Sequence, residues 1–410
     1  MPRILASLLL TAFLLTLPAV GRKREPIRYV SADSVVVWSD GTDIQSRALA
    51  VDERLRPRPS SYEPPRGKQL RSVRQVWQRE QLPQLNVVGS LGENLSHEQG
   101  TQAANVLYAA LKQYPFDGQA QWFDIIERTL WNALLHQCAA PQPSAEQHVA
   151  AQAIVDGMSG IYATDSEGIY VNLFVNSSAH ICTDQYNIYI DQLTPMPLEG
   201  RVKIRITSPG MNQRHFLLRI RIPQWVISES VRTAEMGGMA RSADLPAQKN
   251  STNAGSETAE GPLPQLYVNG RAEDVPMANG YWVIARKWNS GDEVFFDLPM
   301  TPRFIRRTYE PGRATGSTKR SRPVRQIAVQ RGPLIYATSA AEARTHYFTK
   351  NAALTIAEAG TPWGNPQLAG SLYDDRHVPA DASAPQTSVL LAPWSDILGD
   401  DAAIWLREIR

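Results

Sequence analysis

The side chains that could do chemistry in this chain are carboxylates, a few histidines and two cysteines. Asp124, Glu127, Glu146, Asp165 and Glu167 are available as carboxylates. A pair of them about 5 Å apart would suffice for a metal-free retaining glycosidase. Their spacing singles out no pair. The run "HEQGT" at His97 to Thr101 opens like a zinc-protease helix, but the second histidine that would share a helix face with His97 is missing. His136 and His148 are separated by an expected loop and read as solvated or capping residues. Gly-rich phosphate loops and G-x-S-x-G elbows are absent. Trp225, Trp282 and Trp288 fall on expected strands, where an indole either stacks on a sugar ring or fills a core.

Cys138 and Cys182 are the only cysteines. In an oxidising compartment they could pair, closing a loop of roughly 45 residues for about 4 kcal/mol in the chain-entropy model. Two free thiols are the other reading, and spacing does not choose between them.

The elements that must position these groups are of two kinds. Apolar residues recur at helical spacing from Glu98 to Gln113, ending before Pro115, and from Gln119 to His136. A third helix begins at Ser144, with Gln147 three positions on in the capping-box spacing, and runs to about Gly157. A short helix is expected around Leu70 to Gln81. Downstream the period changes to two: Val202, Ile204 and Ile206 alternate with Lys203 and Arg205, and Leu218, Ile220 and Ile222 alternate with Arg219 and Arg221. Asn269-Gly270, Asn279-Gly280 and Ser290-Gly291-Asp292 supply hairpin turns. Strands with one apolar face need a second layer, which predicts a β-sandwich.

The chain has 410 residues, 43% of them hydrophobic, and a net charge of +2, which excludes a basic nucleic-acid binder and specifies no substrate. Arg3, the apolar run Ile4 to Leu17 and Ala19-Val20-Gly21 have the order of a secretory signal, with cleavage near Arg22. The apolar run is short of the ~20 residues that span a bilayer. A secreted or periplasmic protein is therefore expected, without membrane attachment after cleavage.

The order of several segments, "GIYVNLFVNSSAHICTDQYNIYIDQL", "FLLRIRIPQW", "LYVNG", "GYWVIARKWNSGDEVFFDLPM" and "QIAVQRGPLIYA", resembles the C-terminal half of glycoside hydrolase family 127, the β-L-arabinofuranosidases. The resemblance runs from about Gly89 to Leu406 and includes "RGP" at Arg331 to Pro333, the turn Trp288 to Asp292 and "IWL" at Ile404 to Leu406. It implies an (α/α)6 catalytic barrel followed by β-sandwiches, and a cysteine nucleophile on a zinc ion held by further Cys and Glu ligands. It places Glu93 at the acid/base position, where the plain alternative is a solvated loop residue, and Glu98 at a zinc ligand. The pattern is incomplete. Gly100 stands where a ligand cysteine belongs, and "CAAPQPS" at Cys138 to Ser144 echoes the nucleophile motif with Ala140 and Pro141 in place of the paired cysteines. Counted back from Gly160, those positions are Ala145 and Glu146.

The expected organisation is a signal peptide over 1–21, a short strand and Arg/Pro-rich linker over 22–85, a helical remnant of the barrel over 86–160, and a β-sandwich over 161–410 with a disordered insertion at 228–261. The resemblance implies a glycosidase acting on β-L-arabinofuranosides in oligosaccharides or polysaccharides, impaired by the lost cysteines. The alternative is a non-catalytic carbohydrate-binding or accessory protein. No zinc is expected. The helical stripes, lacking the rest of a barrel, predict an exposed apolar patch and hence self-association or a paralogous partner.

Overall fold

The computed structural model describes residues 27–38, 43–58, Trp77, 84–92, 99–209, 214–227, 263–309, 322–349, 352–374, 386–397 and 401–409. The signal segment, Glu93, Glu98, His97, the insertion 228–261 and, apart from Trp77, the helix expected around Leu70 to Gln81 lie outside these residues.

The helices are α1 (Ile44–Leu49), α2 (Gly100–Asp117), α3 (Gln121–Arg128), α4 (Leu135–Cys138), α5 (Ala145–Gly157) and α6 (Ala340–Thr345), with a π-helical segment, Thr129–Leu134, joining α3 to α4. The expected stripe of α2 is observed: Ala103, Val106, Leu107, Ala110 and Leu111 are all buried. The helix carries Pro115 inside its last turn and ends at Gly118, whose φ of 62° gives the left-handed C-terminus. The expected end before Pro115 is thus corrected: the Leu111 carbonyl, which a proline at 115 leaves without its helical N–H, accepts from the Tyr29 hydroxyl at 2.7 Å instead. Ser144 caps α5, its hydroxyl accepting from the Gln147 backbone N–H at 3.0 Å.

Among the described residues twenty-two strands, numbered along the chain, form three sheets. The first has the order β1 (Arg28–Tyr29), β3 (Tyr162–Thr164), β4 (Gly168–Val171), β8 (Arg214–Arg221), β12 (Tyr281–Trp288) and β11 (Met277–Ala278). In the second the order is β10 (Arg271–Glu273), β9 (Leu266–Val268), β13 (Asp292–Asp297), β7 (Arg201–Thr207), β6 (Asn187–Leu193), β5 (Ser177–Cys182) and β2 (Val35–Val37). The turns use the anticipated residues: Asn269 and Gly270 have φ of 51° and 75°, and Asn279 and Gly280 of 56° and 81°.

Alternation along β8 and β12 sets the layers. Ile220 and Trp282 face the second sheet, where Trp282 meets Phe296 edge-on at 5.3 Å, while Arg221 and Tyr281 face the helices. On that side Tyr114 of α2 packs against Phe123, Tyr170 and Tyr29, and its hydroxyl donates to Asn172. The helices thus bury their stripes on the first sheet and on each other. Among the described residues, none of the large exposed apolar side chains lies on a helix. The apolar patch expected there is corrected, because the first sheet supplies the cover that a complete barrel would have given.

The third sheet was not anticipated as a separate unit. Strands β15 (Val324–Arg331), β22 (Leu406–Ile409), β17 (His346–Thr349), β19 (Pro366–Asp374), β20 (Gln386–Pro393) and β16 (Leu334–Ser339) pair in that order, and β16 pairs with β15 again. The ring is closed, with β14 (Arg303–Tyr309), β18 (Leu354–Gly360) and β21 (Ala402–Ala403) on its outside. Closure removes the edges of those six strands. Asn132 ties this barrel to the helices, donating to the Pro333 carbonyl at 2.9 Å and accepting from Ile335 N–H at 2.7 Å.

Candidate functional site

The five candidate carboxylates are all occupied by structural partners. Arg221, with no side-chain exposure, bridges Asp124 at 2.8 Å and Glu127, and Glu127 also accepts from the Trp225 indole at 2.9 Å. The space beside them is about 10 Å3, enough for one water and no sugar. Asp165 holds its own turn through the Glu167 and Gly168 N–H groups, and with Glu167 it clamps Arg219. Glu146 accepts from the N–H and hydroxyl of Thr101 at 2.5 and 2.9 Å, fastening α2 to α5.

The histidines divide. His148 is half exposed, 3.9 Å from Asp52. His136 is buried, stacked 3.9 Å from Trp394 with Nδ1 3.1 Å from the Trp394 carbonyl, so its reading as solvated or capping is corrected: the loop that follows it folds away, and the barrel end covers the ring. Trp225, Trp282 and Trp288 are buried, which makes them core.

A concavity of about 370 Å3 lies between the loop after α4 and the end of α1. One wall is the loop Cys138 to Ser144. Gln147 pins it across the first turn of α5 by donating to the Cys138 and Ala140 carbonyls at 3.0 and 3.2 Å. The opposite wall comes from α1, whose buried face is Ile44, Arg47 and Ala48. Arg47 donates to Asp396 at 2.8 Å and to the Ser395 carbonyl at 2.6 Å, and its guanidinium lies 4.5 Å from the centre of the Trp363 ring. Asp396 is saturated, since Thr361 and Asn365 each donate to its second oxygen at 2.7 Å. Burial lowers the Arg47 pKa and Asp396 opposes that, leaving a cation held flat beneath an indole at the cavity edge. His148 and Ser144 complete the polar lining.

Neither Arg47 nor Trp363 could be found from sequence. Their partners come from opposite ends of the chain, and no periodic signal links them.

The cavity holds few groups that could react. No carboxylate lines it. Burial pushes the Cys138 thiol up to about 12, with Arg47 only partly opposing, so the thiol is protonated near neutrality and is a poor nucleophile. Both cysteines are free. A maleimide at pH 8 should therefore modify exposed Cys182 rapidly and Cys138 slowly. In a Cys182→Ser variant, labelling of Cys138 at the rate of an open thiol would contradict this environment.

Residues 168–300 match the family model described as the GH127 middle domain of beta-L-arabinofuranosidase. Over that stretch the chain is similar to the GH127 middle domain. The fold recurs in a solved GH127 beta-arabinofuranosidase, at a TM-score of 0.62 and 20% identity over 89% of this chain and 59% of that one. It recurs again in a GH127 beta-L-arabinofuranosidase from Geobacillus stearothermophilus T6, at 0.60 and 16% over the same shares, and in a glycoside hydrolase at 0.54 and 16%, covering 78% of this chain and 54% of that one. At such identities the likeness is one of fold. The chain spans 59% of the length of the first two. No curated protein sequence matches it.

The GH127 resemblance brings a zinc-thiolate centre into question, and the described residues do not fit one. A Cβ built on Gly100, the expected ligand position, would lie 2.2 Å from the Glu146 carbonyl oxygen, so no cysteine fits between α2 and α5 as they are packed. Cys138 keeps its proton, and among the described residues no three His, Cys, Asp or Glu side chains converge as ligands would. Glu93 and Glu98, for which the sequence resemblance implies an acid/base and a zinc-ligand role, lie outside the described residues.

Proposed function

We propose that this chain is an exported, GH127-like protein that recognises arabinose-containing oligosaccharides or polysaccharides and does not hydrolyse them. One observation carries the reading: the loop that echoes the GH127 nucleophile motif, Cys138 to Ser144, lines the Arg47 cavity, and that cavity presents a cation, an indole, an imidazole and a hydroxyl with no thiolate and no carboxylate. Such a lining holds hydroxyls and stacks on a ring, yet offers no nucleophile to attack an anomeric carbon. On this reading 86–160 is what remains of an (α/α)6 barrel, and the strands from 161 onward are its β-sandwich part, with the closed barrel appended. Secretion or periplasmic export follows from the signal-like residues 1–21.

Hydrolysis of an aryl β-L-arabinofuranoside by the purified mature chain should be undetectable, while titration with an arabino-oligosaccharide should give saturable binding that Trp363→Ala weakens. Robust turnover abolished by Glu93→Gln would replace this reading with that of an active glycosidase whose nucleophile has moved. Turnover indifferent to Glu93→Gln would also refute the proposal and remove Glu93 from the acid/base role.

A further inference from the structure

The outer face of the second sheet carries an apolar row that nothing in the chain's described residues covers. Of the eight large apolar side chains exposed among those residues, five stand on this face: Val36, Trp38, Tyr189, Leu193 and Phe295. The strand register puts Phe295, Leu193 and Trp38 in one row across the strands, with Val36 opposite Ser178 and Tyr189 opposite His180 in the rows beside it. Tyr267 of β9 faces Phe295 of β13, which faces Lys203 of β7, which faces Leu193 of β6. Beyond Leu193, Asn176 continues β5, and its carbonyl accepts from Trp38 N–H at 2.8 Å, bringing Trp38 to the end of the same row. Five steps between strands at about 4.8 Å each make the row roughly 24 Å long, running across the strands.

Beside it lies a polar ladder in the next register, Glu293, Arg205, Asp191 and Ser178. Lys203 pairs with Glu293 at 2.8 Å, and Ser178 donates to Asp191 at 2.5 Å. One row beyond, His180 stacks on Tyr189 at 4.5 Å and an interplanar angle of 12°.

We propose that this face is a glycan-binding platform, separate from the Arg47 cavity, on which an extended polysaccharide lies along the row from Tyr267 to Trp38. The inference rests on the carbohydrate reading above and adds a second site to it. A sugar ring has an apolar C–H face and a rim of hydroxyls, and the surface offers both complements in parallel: rings and Leu193 beneath, charged and hydroxyl groups alongside. The advance per sugar along an extended glycan is close to the strand spacing, so successive units meet successive strands. A second copy of the chain fits less well. The core of a stable homodimer interface is depleted of charge, whereas here the row contains Lys203 and borders a charged ladder already paired within its own face.

The test is affinity electrophoresis of the full mature chain in gels containing branched arabinan, with Trp38→Ala, Tyr267→Ala and Phe295→Ala beside Trp363→Ala and, as a surface control on the third sheet, Leu390→Ala. The wild type should be retarded. Each of the three row variants should weaken apparent affinity about threefold to tenfold, and Leu390→Ala should leave it unchanged, with all variants retaining the wild-type circular dichroism. Retardation untouched by the row variants but lost in Trp363→Ala would overturn the platform and leave the cavity as the glycan site. Absence of retardation in the wild type would also overturn it, and titration with the soluble arabino-oligosaccharide would then decide separately on the cavity. A dimer in sedimentation that Phe295→Asp dissolves would assign the face to a second copy and refute the proposal.

Discussion

Replacing Arg221 with methionine should cost the fold about 3–5 kcal/mol at pH 7, because it leaves buried Glu127 and partly buried Asp124 without the cation they are bonded to, with Arg128 acting on them only at longer range. Burial alone raises the pKa of Asp124 and of Glu127, and Arg221 is the main group opposing that rise. Burial also works against the guanidinium, but Glu127 and Asp124 together more than offset it, so the Arg221 pKa is raised. The pH dependence follows in sign. A carboxyl whose folded pKa is raised contributes stability below its unfolded pKa, about 4, and that contribution is lost as pH rises through the folded value. Without Arg221 the folded values climb further and the loss at neutral pH is larger. The deficit of Arg221→Met relative to wild type should therefore shrink between pH 7 and pH 5 in urea denaturation, and Asp124→Asn with Glu127→Gln in the same chain should recover much of it. A deficit independent of pH would show that Arg221 acts by filling space.

The second large effect is expected at Gly100. Alanine for glycine within a helix is ordinarily favourable by roughly 0.5–1 kcal/mol. At the start of α2 the sign should reverse, since the added methyl would lie 2.2 Å from the Glu146 carbonyl oxygen and 2.9 Å from its carbon, both backbone atoms of α5. A loss of about 1–3 kcal/mol, as in other overpacked sites, is expected from thermal unfolding. Gly100→Cys should lose at least as much and gain no stoichiometric zinc by elemental analysis. A stabilised Gly100→Ala would mean that the two helices separate easily. In that case a metal ligand could be restored there.

The parts of the fold written in short-range pattern were legible in the sequence. The cap at Ser144, the alternation in β7 and β8 and the Asn-Gly turns each depend on neighbours within a few positions, and each is present. The stripe of α2 was equally clear, but what covers it was not, because the first sheet is assembled from strands as distant as Arg28 and Trp288. Closure of the last sheet into a ring escaped notice for the same reason. It depends on the pairings of β16 with β15 and of β22 with β17, which leave no periodic trace. At the site, the loop from Cys138 to Ser144 was noticed through its resemblance to a motif. The wall opposite was invisible, since Arg47 and Trp363 look like an ordinary helix cation and an ordinary turn residue until they are seen together.

The placement of β22 has a consequence for how this molecule is made. Leu406–Ile409 is an interior stave of the ring, held between β15 and β17, and it follows the ring's other five strands in chain order. Arg47 likewise waits for a carboxylate 349 positions later in the chain. The two stacked sheets need nothing beyond Asp297, so they can consolidate while the rest of the polypeptide is still emerging. Until β22 arrives, the nascent chain carries an unclosed ring with two free strand edges. That interval, rather than the finished protein, is when the chain is most open to edge-to-edge association and to proteolysis.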